Sequence, residues 1–319
     1  MTVRALTLTD VVEGLIDVRP EGLKQRVTAA VVDSREAAPG TVFFAFEGEQ
    51  ADGHDYVGDA FSRGAVAALV EHDVDVDART VDLTRSSLML PATWSLPLVL
   101  KVRSTLEALQ NLATFWRRQQ EGLRVIGITG SVGKTTTKEL TASVMGRRYK
   151  TIKSEASYNN EIGLPLTLLR LTSAHERAVL EMGMYDVGEI ADLARMGQPH
   201  VGVVTIVRPV HLERAGSFER IVEAKTELVE ALPPAPEGTA ILNYDDENVR
   251  NMAAATEARV LTYGLSPAAD LWADRIEGLG LEGIRFRLHY EGETLHVKLP
   301  LLGRHSVHTA LRATAVGLV

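Results

Sequence analysis

Residues 125–135 read VIGITGSVGKT, and this stretch decides how the chain is expected to fold. Residues 125–129 form a short apolar run typical of a buried strand. The glycine-rich turn that follows leads to Lys134 and Thr135, where a helix is expected to begin. A strand, a glycine-rich turn and a Gly-Lys-Thr sequence at a helix start are the context of a P-loop, which binds phosphate groups.

The turn has the features that phosphate binding requires. Its backbone N–H groups would point inward, and the N-terminus of the following helix adds partial positive charge. Gly130 and Gly133 would let the backbone approach the phosphates without a clash from a Cβ atom. Lys134 would contact the β- and γ-phosphates, and the Thr135 hydroxyl would bind Mg²⁺. The predicted ATP-binding residues are Gly130, Ser131, Val132, Gly133, Lys134, Thr135 and Thr136.

One position departs from the common motif. The usual P-loop has a glycine six residues before the lysine, and this chain has Ile128 there. The alternative interpretation is a tight turn between a strand and a helix that contains Gly-Lys-Thr by coincidence. The predicted strand before the loop and the predicted helix after it favour the P-loop.

The chain after residue 97 alternates apolar strand patterns with helical patterns. Strands are predicted at 178–180, ending at Glu181, at 201–207, before His211, and at 239–242, ending at Asn243. Such alternation is typical of a doubly wound, mostly parallel sheet. Near the end, residues 285–290 and 294–299 alternate around Glu-Gly-Glu and predict a β-hairpin. We therefore predict an α/β protein whose P-loop domain, 98–319, carries a hairpin extension and binds ATP.

The chain before residue 98 predicts a smaller α/β domain. Residues 42–46 and 65–70 are short buried-strand patterns, separated by the turn-rich stretch 47–54. The stretch from Pro91 to Pro97 predicts a boundary. Residues 1–97 are therefore expected to form one domain, in agreement with the two domains that 319 residues suggest.

The composition of the chain argues against several classes of protein. Hydrophobic residues make up 45% and charged residues 24%, as in ordinary globular proteins. A net charge of -8 argues against a general nucleic-acid binder. The absence of cysteine excludes disulfides and thiolate zinc sites. With no signal-peptide pattern and no apolar run near 18 residues, we expect a soluble, cytoplasmic protein without membrane insertion. We also expect a monomer.

Three further groups are expected near the P-loop, because ligands bind where the strands of open α/β sheets end. Glu181 ends one strand and His211 follows another, so both could bind Mg²⁺ or a substrate oxygen if their strands are neighbours of the P-loop strand. Lys225 occupies the buried face of a predicted helix, 217–232, four residues after Ile221. The alternatives are a solvated strand end for Glu181, a loop residue for His211, and a snorkelling side chain for Lys225.

Several motifs resemble those of the Mur ligases, the ATP-dependent amide ligases of peptidoglycan and cell-wall synthesis. Residues 129–139, TGSVGKTTTKE, and 159–169, NNEIGLPLTLL, are highly characteristic of this family. Asp-Ser-Arg at 33–35 and Asp-Gly-His at 52–54 resemble the family's uridine-nucleotide-binding domain. The resemblance extends over all 319 residues. It implies an enzyme that uses ATP and Mg²⁺ to join D-alanyl-D-alanine to UDP-N-acetylmuramoyl-tripeptide through an acyl phosphate.

The resemblance also implies roles for individual residues. Lys134, His211 and Lys225 match catalytic positions, and Lys225 matches a lysine that relatives carry as a carbamate. The implied metal-binding residues are Thr135, Glu181, His211 and carbamylated Lys225. The implied substrate contacts are Ser34, Arg35, Asp52, Gly53, His54, Asn159 and Asn160.

This chain departs from the family pattern at three places. Ser157 stands where members usually have asparagine, and Ser306 and Thr309 replace two asparagines, one of which normally helps to hold adenine. The third domain of Mur ligases, which helps to bind ATP and the incoming amino component, is not in this sequence. We therefore expect a piece with the first two domains and little or no ligase activity of its own.

Other functions remain open from the sequence. The protein could be a Mur ligase that adds a different amino acid. It could also be a nucleotide-binding module without catalysis. The P-loop alone would permit a small-molecule kinase, which the uridine-type N-terminal motifs do not suit.

Overall fold

The computed structural model describes residues 3–48, 51–85, 90–91, 93–156, 158–209 and 216–319. The chain forms two compact units. Unit 1 comprises Met1–Glu121 and Glu161–Ala174, and unit 2 comprises Gly122–Asn160 and His175–Val319. Among the described residues, no helix has both the length and the apolar character needed to cross a membrane.

Unit 1 is built on a five-stranded parallel sheet with the order β1-β2-β3-β5-β4. The strands are β1 Ala30–Val31, β2 Val42–Phe44, β3 Ala67–Val70, β4 Arg79–Asp82 and β5 Leu98–Lys101. With helices numbered along the chain, this unit contains α1 Leu8–Ile16, α2 Val57–Ser62, α3 Thr105–Arg118 and α5 Gly163–Leu169. Every residue of β2 and β3 is buried, as expected for strands of a parallel sheet that is covered on both faces.

Local sequence explains where two of these helices begin. The Thr7 side chain accepts a hydrogen bond from the Asp10 N–H, and the Asp10 carboxylate accepts one from Thr7, which makes a capping box at the start of α1. Ser104 caps α3 with a single bond, since its side chain accepts the Glu107 N–H. Strand β5 and helix α3 belong to unit 1, so this unit continues beyond the boundary predicted at residue 97.

Unit 2 contains a nine-stranded sheet with the order β14-β13-β12-β11-β10-β9-β6-β8-β7. Strands β6 to β12 pair in parallel, and β13 and β14 add an antiparallel hairpin. The strands are β6 Arg124–Thr129, β7 Thr151–Lys153, β8 Arg177–Glu181, β9 Val201–Val204, β10 Thr239–Asn243, β11 Arg259–Gly264, β12 Leu271–Gly278, β13 Ile284–Tyr290 and β14 Glu293–Leu299. The helices are α4 Lys134–Met145, α6 Glu189–Gly197, α7 Phe218–Glu230, α8 Glu247–Asn251 and α9 Ser306–Leu318. The predicted α/β class, with a mostly parallel sheet and a hairpin extension, is confirmed.

The core of unit 2 lies on both faces of this sheet. On one face, Ile126 and Ile128 pack in a cluster with apolar residues of α4 and α9, among them Met145 and Leu311. On the other face, Val204 packs with Ile221 and other apolar residues of α7. Helices on both faces are the arrangement that a doubly wound sheet requires.

Strand β9 is shorter than the predicted strand 201–207. It ends at Val204. The Thr205 N–H still donates to the Thr129 carbonyl of β6 at 3.0 Å, but the backbone after Thr205 bonds to partners outside the neighbouring strands. The Ile206 carbonyl accepts a hydrogen bond from the Ser131 N–H at 2.8 Å. The Val207 N–H donates to the Asp246 carboxylate at 3.0 Å. Ile206 therefore contacts the P-loop and Val207 contacts the N-cap residue of α8, so neither extends the sheet.

Candidate functional site

In the loop between β6 and α4, two glycines adopt positive φ angles, as the glycine-rich sequence predicted. Gly130 has φ +136° and Gly133 has φ +86°, both in the region that favours glycine. A Cβ atom on Gly130 would lie 1.9 Å from Thr205 Oγ1, which is far inside van der Waals contact. Glycine is therefore required at 130 by both the torsion angle and the close approach of Thr205.

Two side chains hold this loop in place. Thr205 Oγ1 donates to the Val132 carbonyl at 2.7 Å, and the Ser131 hydroxyl exchanges hydrogen bonds with the backbone of Arg208. Lys134 folds back over the loop, where Nζ donates to the Gly130 carbonyl at 2.8 Å. Burial lowers the pKa of Lys134, and the negative charge of Glu181 opposes this shift. The ammonium group is thus positioned at the concave side of the loop.

The strand order brings Glu181 to the same sheet edge as the loop. Strand β6 lies between β8 and β9, and Ile128 of β6 is paired with Glu181 of β8. Glu181 is only 2% exposed. Its Oε1 accepts a hydrogen bond from Asn159 Nδ2 at 3.0 Å, whereas Oε2 has no hydrogen-bond partner among the described residues. A buried carboxylate oxygen without a donor is suited to a cation.

Lys225 faces this edge from α7, as its place on the helix predicted. It is 4% exposed, and it lines a cavity of about 150 Å³ together with Lys134, Asn159 and Asn160. Burial, and then the like charge of Lys134, lower the pKa of Lys225 to about 8. The loop, the asparagine pair and the buried lysine therefore surround one cavity of unit 2.

The other predicted ATP and metal residues are exposed at the P-loop or are not described. Thr135 and Thr136 are exposed in the first turn of α4, and Val132 is exposed in the loop. His211 and Ser157 lie outside the described residues, so the predicted metal role of His211 stays a prediction.

Lys138 is a residue of this site that sequence reasoning missed. Its side chain is fully buried, and Nζ donates to the Ala156 carbonyl at 2.7 Å. Nζ also lies 3.4 Å from Glu139 Oε1 and 3.8 Å from Glu181 Oε2. The spacing of four residues from Lys134 was the available signal, since it places both lysines on one face of α4.

The predicted sugar-nucleotide residues lie in unit 1. Ser34 and Arg35 follow β1 and line a cavity of about 890 Å³, together with Gly53, Phe43 and Tyr56. Of the two aromatic side chains, Tyr56 is exposed and Phe43 is buried in the core. The Arg35 guanidinium hydrogen-bonds to Asp33, and these bonds lower the pKa of the Asp33 carboxyl to about 2. A cavity with an exposed tyrosine ring and an exposed guanidinium suits a base linked to phosphates.

Asp52 and His54 form a connected polar cluster beside that cavity. His54 is buried, with Nδ1 2.5 Å from Asp52 Oδ1, and Nε2 accepts the Glu71 N–H at 2.9 Å. The His72 ring stacks on His54, with ring centroids 4.0 Å apart, and its Nε2 lies 3.3 Å from Asp52 Oδ2. Both nitrogens of His54 are engaged within the protein, so its contacts position the 52–56 turn. Its role as a substrate contact stays a prediction.

Two family models match the chain. "Mur ligase family, catalytic domain" matches residues 26–117, and "Mur ligase middle domain" matches residues 128–317. The chain belongs to the Mur ligase family, and the family predicted from the motifs is confirmed.

Named relatives align in sequence with almost the whole chain. The UDP-N-acetylmuramoyl-tripeptide–D-alanyl-D-alanine ligase of Mycobacterium tuberculosis strain H37Rv is 37% identical over 316 residues, which are 98% of this chain and 62% of the relative. The ligase of the same name from Escherichia coli K12 is 34% identical over 314 residues, 98% of this chain and 63% of the relative. The chain thus spans about 62% of the length of these relatives.

Solved structures show the same fold. MurF from Acinetobacter baumannii aligns with a TM-score of 0.82 and 29% identity, over 100% of this chain and 66% of that one. MurF ligase from Thermotoga maritima in complex with ADP aligns with a TM-score of 0.73 and 26% identity, over 91% of this chain and 62% of that one.

Proposed function

We propose that this chain holds ATP and a UDP-linked sugar peptide for an amide ligase that joins D-alanyl-D-alanine to UDP-N-acetylmuramoyl-tripeptide. One observation carries the proposal: the P-loop with Lys134, the pair Asn159 and Asn160, and Lys225 surround one cavity at the end of the parallel strands. The names of the relatives support the choice of substrates.

The proposed reaction begins at the substrate carboxylate. A carboxylate oxygen attacks the γ-phosphorus of ATP, the bond to the β-γ bridging oxygen breaks, and ADP leaves. Both reactants are anions, so their approach requires positive charge at the γ-phosphate. Lys134 and the loop N–H groups supply that charge. The amine of D-alanyl-D-alanine then attacks the acyl phosphate carbonyl, loses a proton, and displaces inorganic phosphate.

The residues at the sheet edge fit a divalent cation. Glu181 offers the buried Oε2 atom that lacks a hydrogen bond among the described residues, and Thr135 offers a hydroxyl at the start of α4. Oxygen donors of these kinds are what Mg²⁺ prefers. When bound, Mg²⁺ would neutralise charge on the phosphate oxygens. His211 is proposed as a further residue of this metal site.

Lys225 is proposed to react with carbon dioxide. Its neutral amine would form an N–C bond to CO₂ and release one proton, which gives a carbamate anion. Burial and the nearby ammonium of Lys134 both favour the neutral amine that this reaction needs. The resulting carboxylate would face the cavity beside Lys134 and replace a repulsive pair by an attractive one.

The cavity of unit 1 is proposed to bind the uridine nucleotide. The exposed ring of Tyr56 would pack on the base, and Arg35 would contact the diphosphate. Ser34 and the 52–54 turn, which includes Asp52, Gly53 and His54, complete the proposed contacts.

Calorimetric titration of the chain with Mg-ATP tests the nucleotide site. We expect Lys134→Ala to weaken binding at least tenfold, because the ammonium at the concave side of the loop is removed. Lys150→Ala, which removes an exposed lysine outside the site, should bind as the unchanged chain does. Equal affinity of the Lys134→Ala variant and the unchanged chain would show that the loop is not the phosphate site.

Phosphate release by the whole protein tests the substrates. We expect release from ATP only when UDP-N-acetylmuramoyl-tripeptide and D-alanyl-D-alanine are both present. A preference for a single amino acid would indicate another Mur ligase activity. ATP binding without any phosphate release or amide product would indicate a nucleotide-binding module.

A further inference from the structure

Arg312 is a buried cation without a counter-charge in the described part of the chain. It lies on α9 and is 5% exposed. Its Nη2 donates to Thr309 Oγ1 at 2.9 Å, while Nε has no hydrogen-bond partner among the described residues. No described carboxylate comes within 4.0 Å of the guanidinium to form an ion pair. A buried guanidinium in this state is costly unless another negative charge approaches it.

The guanidinium is directed at the P-loop. A Cβ atom built on Gly133 would lie 3.4 Å from Arg312 Nη2 and 3.7 Å from Nη1, so the planar group packs against this glycine. Gly133 is the N-cap residue of α4. The guanidinium carbon also lies 5.9 Å from the centre of the Tyr263 ring. Arg312 thus stands directly behind the backbone that is proposed to bind phosphate.

The charges at this place have the same sign. The N-terminus of α4 carries partial positive charge, Lys134 adds an ammonium, and Arg312 adds a guanidinium behind them. These groups repel one another when no anion is present. A triphosphate in the loop would attract all three, and the attraction to Arg312 is little screened because the group is buried.

We propose that Arg312 is a positioning residue that strengthens the binding of polyphosphate by raising the positive potential behind Gly133, without contacting the ligand itself. The inference rests on the proposed phosphate site of the P-loop. It also gives a reason for the pair of Thr309 and Arg312, since the threonine hydroxyl fixes the guanidinium against the glycine. A purely structural role, in which the arginine only fills space between α9 and the loop, makes different predictions.

The test compares ligands that differ in phosphate count. Calorimetric titration of the chain with Mg-ATP, Mg-ADP, AMP and tripolyphosphate would be made for the unchanged chain, Arg312→Met and Arg312→Lys. We expect Arg312→Met to weaken the binding of ATP and of tripolyphosphate at least tenfold. The binding of ADP should be weakened less, and that of AMP least. Arg312→Lys keeps the charge and should retain most of the affinity.

Thermal unfolding separates the electrostatic role from a structural one. Without ligand, Arg312→Met should unfold at the same temperature as the unchanged chain or higher, because a buried unpaired charge is removed. The increase in unfolding temperature that ATP causes should be smaller for Arg312→Met than for the unchanged chain. Arg117→Met is the matched control, since Arg117 is equally buried, in unit 1. This control should leave ATP affinity unchanged.

Two results would overturn the inference while the P-loop site stands. One is an Arg312→Met variant that binds ATP as the unchanged chain does. The other is an Arg312→Met variant whose affinities for ATP and AMP fall by the same factor and whose unfolding temperature without ligand is lower than that of the unchanged chain. If the unchanged chain binds neither ATP nor tripolyphosphate, the proposed function itself is wrong, and the inference is wrong with it.

Discussion

Several ionisable side chains at this site are buried, which is uncommon away from functional sites. Lys138 and Lys225 are almost completely buried, as is Glu181. Lys138 donates to a carbonyl and lies near two carboxylates, so its charge is compensated. Lys225 faces the ammonium of Lys134 instead, and its charge is not compensated in the same way. Burial lowers the pKa of both Lys134 and Lys225, and perturbed pKa values of this kind are typical of catalytic sites.

The pKa of Lys225 predicts a pH dependence of stability. Its folded value of about 8 lies below the ordinary value of 10.5. Between these values the unfolded chain binds more protons than the folded chain, so stability rises with pH through this window. This stabilisation is lost as the pH falls from 10.5 toward 8, and below pH 8 the free energy of unfolding no longer changes through Lys225. The difference corresponds to about 3 kcal/mol at most.

Lys225→Met should remove this dependence. Urea unfolding at pH 7.5, 9 and 10.5, in buffers free of bicarbonate, would be compared with the unchanged chain. We expect the variant's free energy of unfolding to rise less over this range, by about 3 kcal/mol at most. Parallel curves for the two proteins would show that Lys225 keeps an ordinary pKa in the folded state.

At the scale of elements, the site depends on the order of three neighbouring strands. Strand β6 carries the loop, β8 brings Glu181 to it, and the residues after β9 brace the loop from the other side. Thr205, directly after β9, approaches Gly130 so closely that only glycine fits. The shape of the loop is therefore set jointly by its own sequence and by the neighbouring strand end.

Gly130→Ala tests this joint constraint. The added methyl would strain the backbone at φ +136° and also collide with Thr205. We expect a loss of about 3 kcal/mol or more in the free energy of unfolding by urea. Gly122→Ala is the control, because Gly122 has φ +78° with nothing within 4 Å of the new atom, and should lose about 1 kcal/mol. Equal losses for the two variants would contradict the role given to Thr205.

At the scale of the whole molecule, each unit has its own sheet, its own core and its own candidate cavity. The cavity of unit 1 is lined by aromatic rings and Arg35, and that of unit 2 by the loop, asparagines and lysines. The assignment of the sugar nucleotide to unit 1 and of ATP to unit 2 is a proposal. It predicts that the two ligands act on different parts of the chain.

Hydrogen exchange measured by mass spectrometry tests that assignment. We expect UDP alone to slow exchange in residues 32–59, and Mg-ATP alone to slow it in residues 128–138, because bound ligands suppress local opening. Each ligand serves as the control for the other. Protection of the same residues by both ligands would contradict separate sites.

The sequence alone determined the features that depend on neighbouring residues. The strand, turn and helix of the P-loop, the hairpin at 284–299 and the inward face of Lys225 all follow from local periodicity and glycine placement, and the structure has each of them. The membership of the Mur ligase family could also be predicted, since its motifs are short and continuous. Local backbone geometry is encoded within a few residues, so such features need no knowledge of the fold.

Only the tertiary structure decided which distant side chains meet. Thr205 against Gly130, Lys138 beside Glu181, and Arg312 behind Gly133 are contacts between elements that spacing along the chain does not relate. The extension of unit 1 through β5 and α3 is of the same kind. The reason is physical: these contacts depend on strand order and helix packing, which arise from the burial of the whole core and are not specified by any single segment.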